Sequence, residues 1–186
     1  MPLAKQNSWE SSGDESAWHH SPFKRSISVT TELATFAAGC FWGIEAAFSK
    51  VKGVLSTRVG YTGGKTVNPS YEEVSSGRTG HAEAVEVVFD PSVISYRELV
   101  VIFWTVHDPT QLNRQGPDIG TNYRSAIFYH TPEQKSIAEE SKKKVQESRR
   151  FGSRTIATEV VPAKEFYPAE EYHQKFFEKQ GRTCHL

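Results

Sequence analysis

From Leu33 onward the hydrophobic positions follow two periods in turn. Leu33 to Ala38 is a continuous apolar run, as expected of a buried strand. Past Gly39-Cys40, the residues Ile44, Ala47, Phe48 and Val51 recur at helical spacing, and Gly53 closes the helix. Val54 to Val59 reads as a second strand and His81 to Phe89 as a third, ended by Asp90-Pro91. Between them residues 61–80 are rich in Gly, Ser, Thr and Asn and read as a long loop, a feature usually tied to function. Ser95 with Glu98 forms a capping box before Tyr96, Leu99, Val100, Phe103 and Val106, the apolar stripe of a helix. A second long loop covers 108–123, and Ala126 to Tyr129 is a fourth strand. Thr131 and Gln134, with Pro132 in the first turn, open a helix whose charges run through Lys144. Ile156 to Val161 reads as a last strand, and residues 168–179 as a last helix with Tyr172, Phe176 and Phe177 on one side. The first six elements follow the ferredoxin-like order β-α-β-β-α-β. The pattern predicts an α+β domain with a mixed or antiparallel sheet and helices packed on it.

Composition narrows the setting. The 186 residues suit a single domain over 31–186, and residues 1–30, Ser-rich and without a period, read as a flexible tail. Lys+Arg and Asp+Glu are equal at 22 each, so nothing points to nucleic acid or a membrane surface. No apolar run reaches the roughly 18 residues of a membrane span, and residues 1–30 lack the apolar core of a signal peptide. The expected location is the cytoplasm and the expected state a monomer. Two cysteines, Cys40 and Cys184, are too few for a disulfide scaffold. In a reducing compartment such a pair is more often catalytic or redox-active. No spacing of Cys and His fits a metal site, and no cofactor is expected. The single methionine is Met1.

The strand-to-helix junction holds the strongest chemical signal. A cysteine at a helix start meets unpaired N–H groups and the positive end of the helix dipole, both of which favour a thiolate. Cys40 is therefore expected to be more acidic than a free cysteine; an inert buried thiol is the equal alternative on position alone. Strand alternation places Glu83 on one face with Val85, Val87 and Phe89. An inward carboxyl has its pKa raised by burial and can donate a proton near neutrality. The alternative is a strand-end Glu that reaches solvent or pairs with Arg78 or Lys65. His81 shares the face of Glu83 and reads either as a structural histidine or as a group that orients a water or a loop of the site.

Four ordered segments resemble one family. They are Gly39-Cys40-Phe41-Trp42-Gly43, Gly60 to Gly64 (GYTGG), Gly80 to Val85 (GHAEAV) and Gln115 to Ser125 (QGPDIGTNYRS). Together they resemble the A-type peptide methionine sulfoxide reductases, over about residues 33–180, in the family's order. Repair of oxidised methionine takes one enzyme per sulfoxide epimer. The resemblance implies a two-layer plait and reduction of the S epimer of methionine sulfoxide, free or in proteins. It implies Cys40 as nucleophile, Glu83 as the acid for the sulfoxide oxygen, and Tyr71 and Tyr123 as hydrogen-bond donors to that oxygen. Asp118 would orient this network, and Phe41 and Trp42 would wall a pocket for the S-methyl group, with Gly39 and His81 beside it. Cys184, in a mobile tail over 181–186, would resolve a Cys40 sulfenic acid as a disulfide that thioredoxin reopens. The chain ends soon after Cys184, whereas many relatives carry a longer Gly-rich extension with two cysteines. Two rivals differ in what they require. A general thiol peroxidase needs no aromatic pocket and no protonated Glu83, and a non-catalytic binder of methionine peptides would survive loss of Cys40.

Overall fold

The computed structural model describes residues 30–181. Expectations placed on residues 1–29 and on Cys184 lie outside them. The elements in chain order are β1 (Glu32–Ala38), α1 (Phe41–Phe48), β2 (Val54–Thr62), α2 (Tyr71–Ser75), β3 (Ala82–Phe89), α3 (Tyr96–Phe103), β4 (Arg114–Gln115), β5 (Asp118–Ile119), a 3-10 turn (Thr121–Tyr123), β6 (Ser125–Tyr129), α4 (Pro132–Glu147), β7 (Glu159–Pro162), β8 (Tyr167–Pro168) and α5 (Phe176–Lys179). Six strands form one mixed sheet in the order β7-β6-β1-β3-β2-β8, and β4 and β5 form a separate small hairpin. All pairings in the large sheet are antiparallel except β6 with β7.

The alternation read from the sequence decides which face is buried against what. Val85, Val87 and Phe89 of β3 join Phe36 of β1, Ile44 and Phe48 of α1, and Leu99, Val100 and Phe103 of α3 in the main core. Ala82 and Ala84 point to the other face, where Ala37, Ala126 and Phe128 form a smaller cluster under Ala163 and Phe166. Phe36 lies at the centre, stacked on Phe48 at 5.0 Å and on Phe103 at 5.4 Å between ring centroids. The helix starts are fixed by their caps: Ser95 accepts from the Glu98 N–H within a full capping box, and Thr131 accepts from the Gln134 N–H with Pro132 in the first turn.

Three expectations are corrected. The loop over 61–80 holds a short helix, α2, capped by Ser70 and Glu73 in a capping box of its own. The loop over 108–123 folds into the β4–β5 hairpin and the 3-10 turn. The helix expected over 168–179 is only the four-residue α5. Pro168 instead pairs opposite Gly60 as part of β8. Lys175 then adopts a left-handed conformation at φ 52° that prevents a continuous helix.

Candidate active site

Cys40 stands at the junction between β1 and α1 as the N-cap of α1. Gly39 before it has φ +96°, and a Cβ there would sit 2.7 Å from the Gln115 side chain. That glycine turns the chain and lets the second loop close over the junction. Backbone N–H groups of Trp42 and Gly43 face the sulfur and lower its pKa, as the helix start predicts. They do not prevail. Burial first, then the charge of Glu83, push the Cys40 thiol up to about 12. The expectation of an acidified thiol is thereby reversed, because the junction is half-buried and shared with carboxylates.

Glu83 is placed as the alternation requires, only 2% exposed. Its Oε2 accepts the Phe41 N–H at 3.2 Å, so the first turn of α1 holds both the thiol and the acid. Among the described residues Oε1 makes no hydrogen bond, which leaves it to carry the proton. Burial raises the Glu83 carboxyl to about 7, against the pull of the Phe41 N–H and with the nearby Asp118 adding to the rise. Asn122, which no sequence pattern singled out, favours the carboxylate of Glu83 by its proximity. Its buried Nδ2 nevertheless has no partner within hydrogen-bond geometry.

Asp118 lies near both members of this pair, Tyr123 lies near Glu83, and Tyr71 lies near Tyr123. Burial, Glu83, Tyr71 and Asp118, in that order, push the Tyr123 hydroxyl up to about 12. The structure places Tyr71 at the first position of α2 and Tyr123 at the end of the 3-10 turn, both half-buried. Asp118 shares with Cys40 a depression of about 220 Å³ that also touches Ile44, Val106, Gln115 and Phe177. Neither Asp118 nor the two tyrosine hydroxyls makes a side-chain hydrogen bond among the described residues.

The two aromatic residues after Cys40 are placed differently from each other. Phe41 is 1% exposed and lies inside, against Tyr61 and His173 at 6.0 and 5.2 Å between centroids. Trp42 is half-buried, and Phe176 of α5 stacks on it at 3.8 Å. Its indole N–H donates to His173 Nδ1 at 3.0 Å. His81 is fully engaged elsewhere: Nδ1 accepts the Gly64 N–H at 3.1 Å and Nε2 meets the Thr66 carbonyl at 2.8 Å. Those partners require Nε2 to carry the proton. His81 thus fastens the loop after β2 and has no ring nitrogen left for substrate.

The segment from Ala169 to Lys175 gave no sign in the sequence of belonging to the site. Glu170 Oε1 accepts the Tyr71 N–H at 2.9 Å and Oε2 accepts the Tyr61 hydroxyl at 2.8 Å. Gln174 bonds both the N–H and the carbonyl of Val59, and the Lys175 N–H bonds the buried Glu45 at 2.7 Å. This strap ties β2, α1 and α2 together behind Cys40. Its polar residues follow no periodic pattern, and their partners lie far away in sequence.

A buried carboxylic acid bonded to the first turn of a helix, beside a cysteine at that helix's cap, can deliver a proton while the sulfur attacks. The model of the family "Peptide methionine sulfoxide reductase" matches residues 32–186. The chain belongs to that family. The peptide methionine sulfoxide reductase MsrA of Methanothermobacter thermautotrophicus is 60% identical over 83% of this chain and 92% of that protein. The crystal structure of Mxr1 from Saccharomyces cerevisiae in reduced form superposes with a TM-score of 0.77 at 38% identity, covering 83% of this chain and 88% of Mxr1. Mxr1 in complex with Trx2 superposes with a TM-score of 0.56 at 27% identity, covering 82% and 91%. The chain is an A-type peptide methionine sulfoxide reductase, with a mixed sheet and five α-helices among its described residues. No described helix is long and apolar enough to cross a membrane.

Proposed function

We propose that the enzyme reduces the S epimer of methionine sulfoxide, free or in oxidised proteins, through a sulfenic acid on Cys40. The observation that carries this reading is the Phe41 N–H bond to Glu83, which sets a buried acid beside the sulfur. Cys40 Sγ attacks the sulfoxide sulfur while Glu83 gives its proton to the oxygen. The S–O bond breaks, the oxygen passes to Cys40 as hydroxyl, and the thioether leaves as methionine. The proton lost by Cys40 restores Glu83, so one thiol and one sulfoxide become one sulfenic acid and one thioether.

Tyr71 and Tyr123 hydrogen-bond the sulfoxide oxygen, and Asp118 sets the field around them. Trp42 takes the methyl group; a thioether-like group against an aromatic ring gains about 0.3–1.5 kcal/mol. Cys184 then condenses with the sulfenic acid, and thioredoxin reopens the disulfide. The complex of the relative Mxr1 with Trx2 supports this last step. The two-layer plait is part of the same reading, supported by the central strand order β6-β1-β3-β2 and by α1, α3 and α4 contributing to one core.

Turnover of resolved epimers tests the pose. The S epimer should be reduced and the R epimer left nearly untouched, since exchanging methyl and oxygen strands a polar group among aromatics at a cost of about 1–3 kcal/mol. Comparable turnover of both epimers contradicts it. So does retention of activity in Cys40→Ser, whose hydroxyl is a far weaker nucleophile at neutral pH.

A further inference from the structure

Tyr71 sits in an otherwise irregular loop, on a helix of only five residues. A helix that short is not stable by itself, so something else must set where its phenol points. Ser70 caps it from within by accepting the Glu73 N–H. That local cap fixes the turn but not the position of the turn relative to Cys40. Among the described residues, the only side chain from outside the loop that bonds the Tyr71 backbone is Glu170, 99 residues away, whose Oε1 accepts the Tyr71 N–H at 2.9 Å.

The same carboxylate is itself anchored. Its Oε2 takes the hydroxyl of Tyr61 at 2.8 Å. Tyr61 is fully buried in β2, paired opposite Glu83 of β3 and with its ring against Phe41. Glu170 therefore links the loop tyrosine to the strand pair that carries the acid. Further along the same strap, His173 packs on the Tyr71 ring at 4.5 Å between centroids and holds the Trp42 indole. Burial works against the Glu170 anion, but the Tyr71 N–H and the Tyr61 hydroxyl outweigh it and keep the carboxylate ionised.

We propose that Glu170 is a positioning residue for the reduction, holding Tyr71 over the sulfoxide oxygen by clasping its backbone N–H to Tyr61. The proposal rests on the reading of Tyr71 as a donor to that oxygen. Glu170 touches neither substrate nor Cys40; its effect passes through Tyr71.

A double-mutant cycle on the full-length enzyme tests it, read as single-turnover methionine release from the S epimer. Glu170→Ala should lower kcat/KM roughly ten- to hundredfold, the scale expected when a reacting group is displaced by about 1 Å. In a Tyr71→Phe background the same change should cost less than about threefold, since residues acting through one group are not additive. Glu170→Gln, which can still accept from Tyr71 and donate to the Tyr61 oxygen, should recover most of the loss. Parent-level activity of Glu170→Ala overturns the proposal, as does an equal loss in both backgrounds. Parent-level activity of Tyr71→Phe overturns the donor reading and this proposal with it, so the two failures are told apart. If Glu170→Ala does not fold, Tyr61→Phe removes half of the clasp. It should give a smaller loss that also vanishes in the Tyr71→Phe background, and additivity there overturns the proposal equally.

Discussion

Replacing Glu83 by Gln should make the protein more stable and nearly inactive at the same time. Gln keeps the shape of the protonated acid and can still accept the Phe41 N–H. It cannot ionise. The carboxyl of Glu83 rises from 4.5 to about 7 on folding, with burial as the first cause. A folded-state pKa above the unfolded value means that the native state holds the proton more tightly. The parent then loses stability as pH rises from about 4.5 through about 7, and above that the full cost of burying the anion is present. At about 1.4 kcal/mol per pKa unit the cost comes to about 3 kcal/mol. The Gln variant has no such slope. Near pH 4.5 the two proteins should unfold alike, whereas at pH 8.5 the variant should be favoured by about 3 kcal/mol. For a folded body of this size that is on the order of 6–12 °C in Tm.

Activity should move the opposite way, with methionine release in a single turnover slowed by roughly 10²–10⁴, the range for loss of a general acid. Thermal unfolding of both proteins across pH 4.5–8.5, alongside rapid-quench turnover, reads both effects. Parallel pH dependences of Tm would show that Glu83 is not buried against its charge. A parent-like single-turnover rate would show that its proton is not used.

Two further outcomes are expected at the two cysteines. Alkylation of Cys40 by iodoacetamide, followed by mass spectrometry of its peptide, should still accelerate between pH 8 and 10, because burial and Glu83 hold the thiol at about 12; a plateau below pH 8 would contradict that. Cys184→Ser should release about one methionine per enzyme and then stall with thioredoxin while dithiothreitol restores turnover; unchanged thioredoxin-driven turnover would remove Cys184 from the cycle.

What the sequence disclosed and what it hid divide along the range of the forces involved. Local signals survived folding: the caps at Ser95 and Thr131, the helix starting at Cys40, and the alternation that sends Glu83 inward with Val85 and Val87. The α2 capping box was equally legible at Ser70 and Glu73, yet the Gly and Ser around it masked a helix of five residues. The last helix failed for the converse reason. Tyr172, Phe176 and Phe177 suggested one face, but Phe176 stacks on Trp42, Phe177 faces the depression beside Cys40 and Tyr172 is 60% exposed. His81 directly precedes the strand of Glu83, and only the loop that returns to Gly64 and Thr66 shows why its ring is occupied. No local pattern announces Glu170 or His173, whose partners lie between 99 and 131 residues away.

Cys40 shows how a sound local argument can lose to a tertiary one. The first-turn N–H groups do lower its pKa, as a helix start should, but burial, which raises Glu83, raises the sulfur as well and outweighs them. Burial raises a carboxyl and a thiol alike, so it makes Glu83 a better proton store and Cys40 a poorer nucleophile. Each anion also penalises the other. The productive state is therefore the one in which Glu83 holds its proton when the thiolate forms, because that removes the Glu83 charge from beside the sulfur. A sulfoxide oxygen that takes the proton of Glu83 while the sulfur attacks avoids having both charges in the site at once. The acid and the nucleophile thus need to be neighbours for electrostatic reasons before any question of geometry. The shared first turn of α1, with Phe41 N–H on one and Trp42 N–H on the other, is how the chain keeps them so.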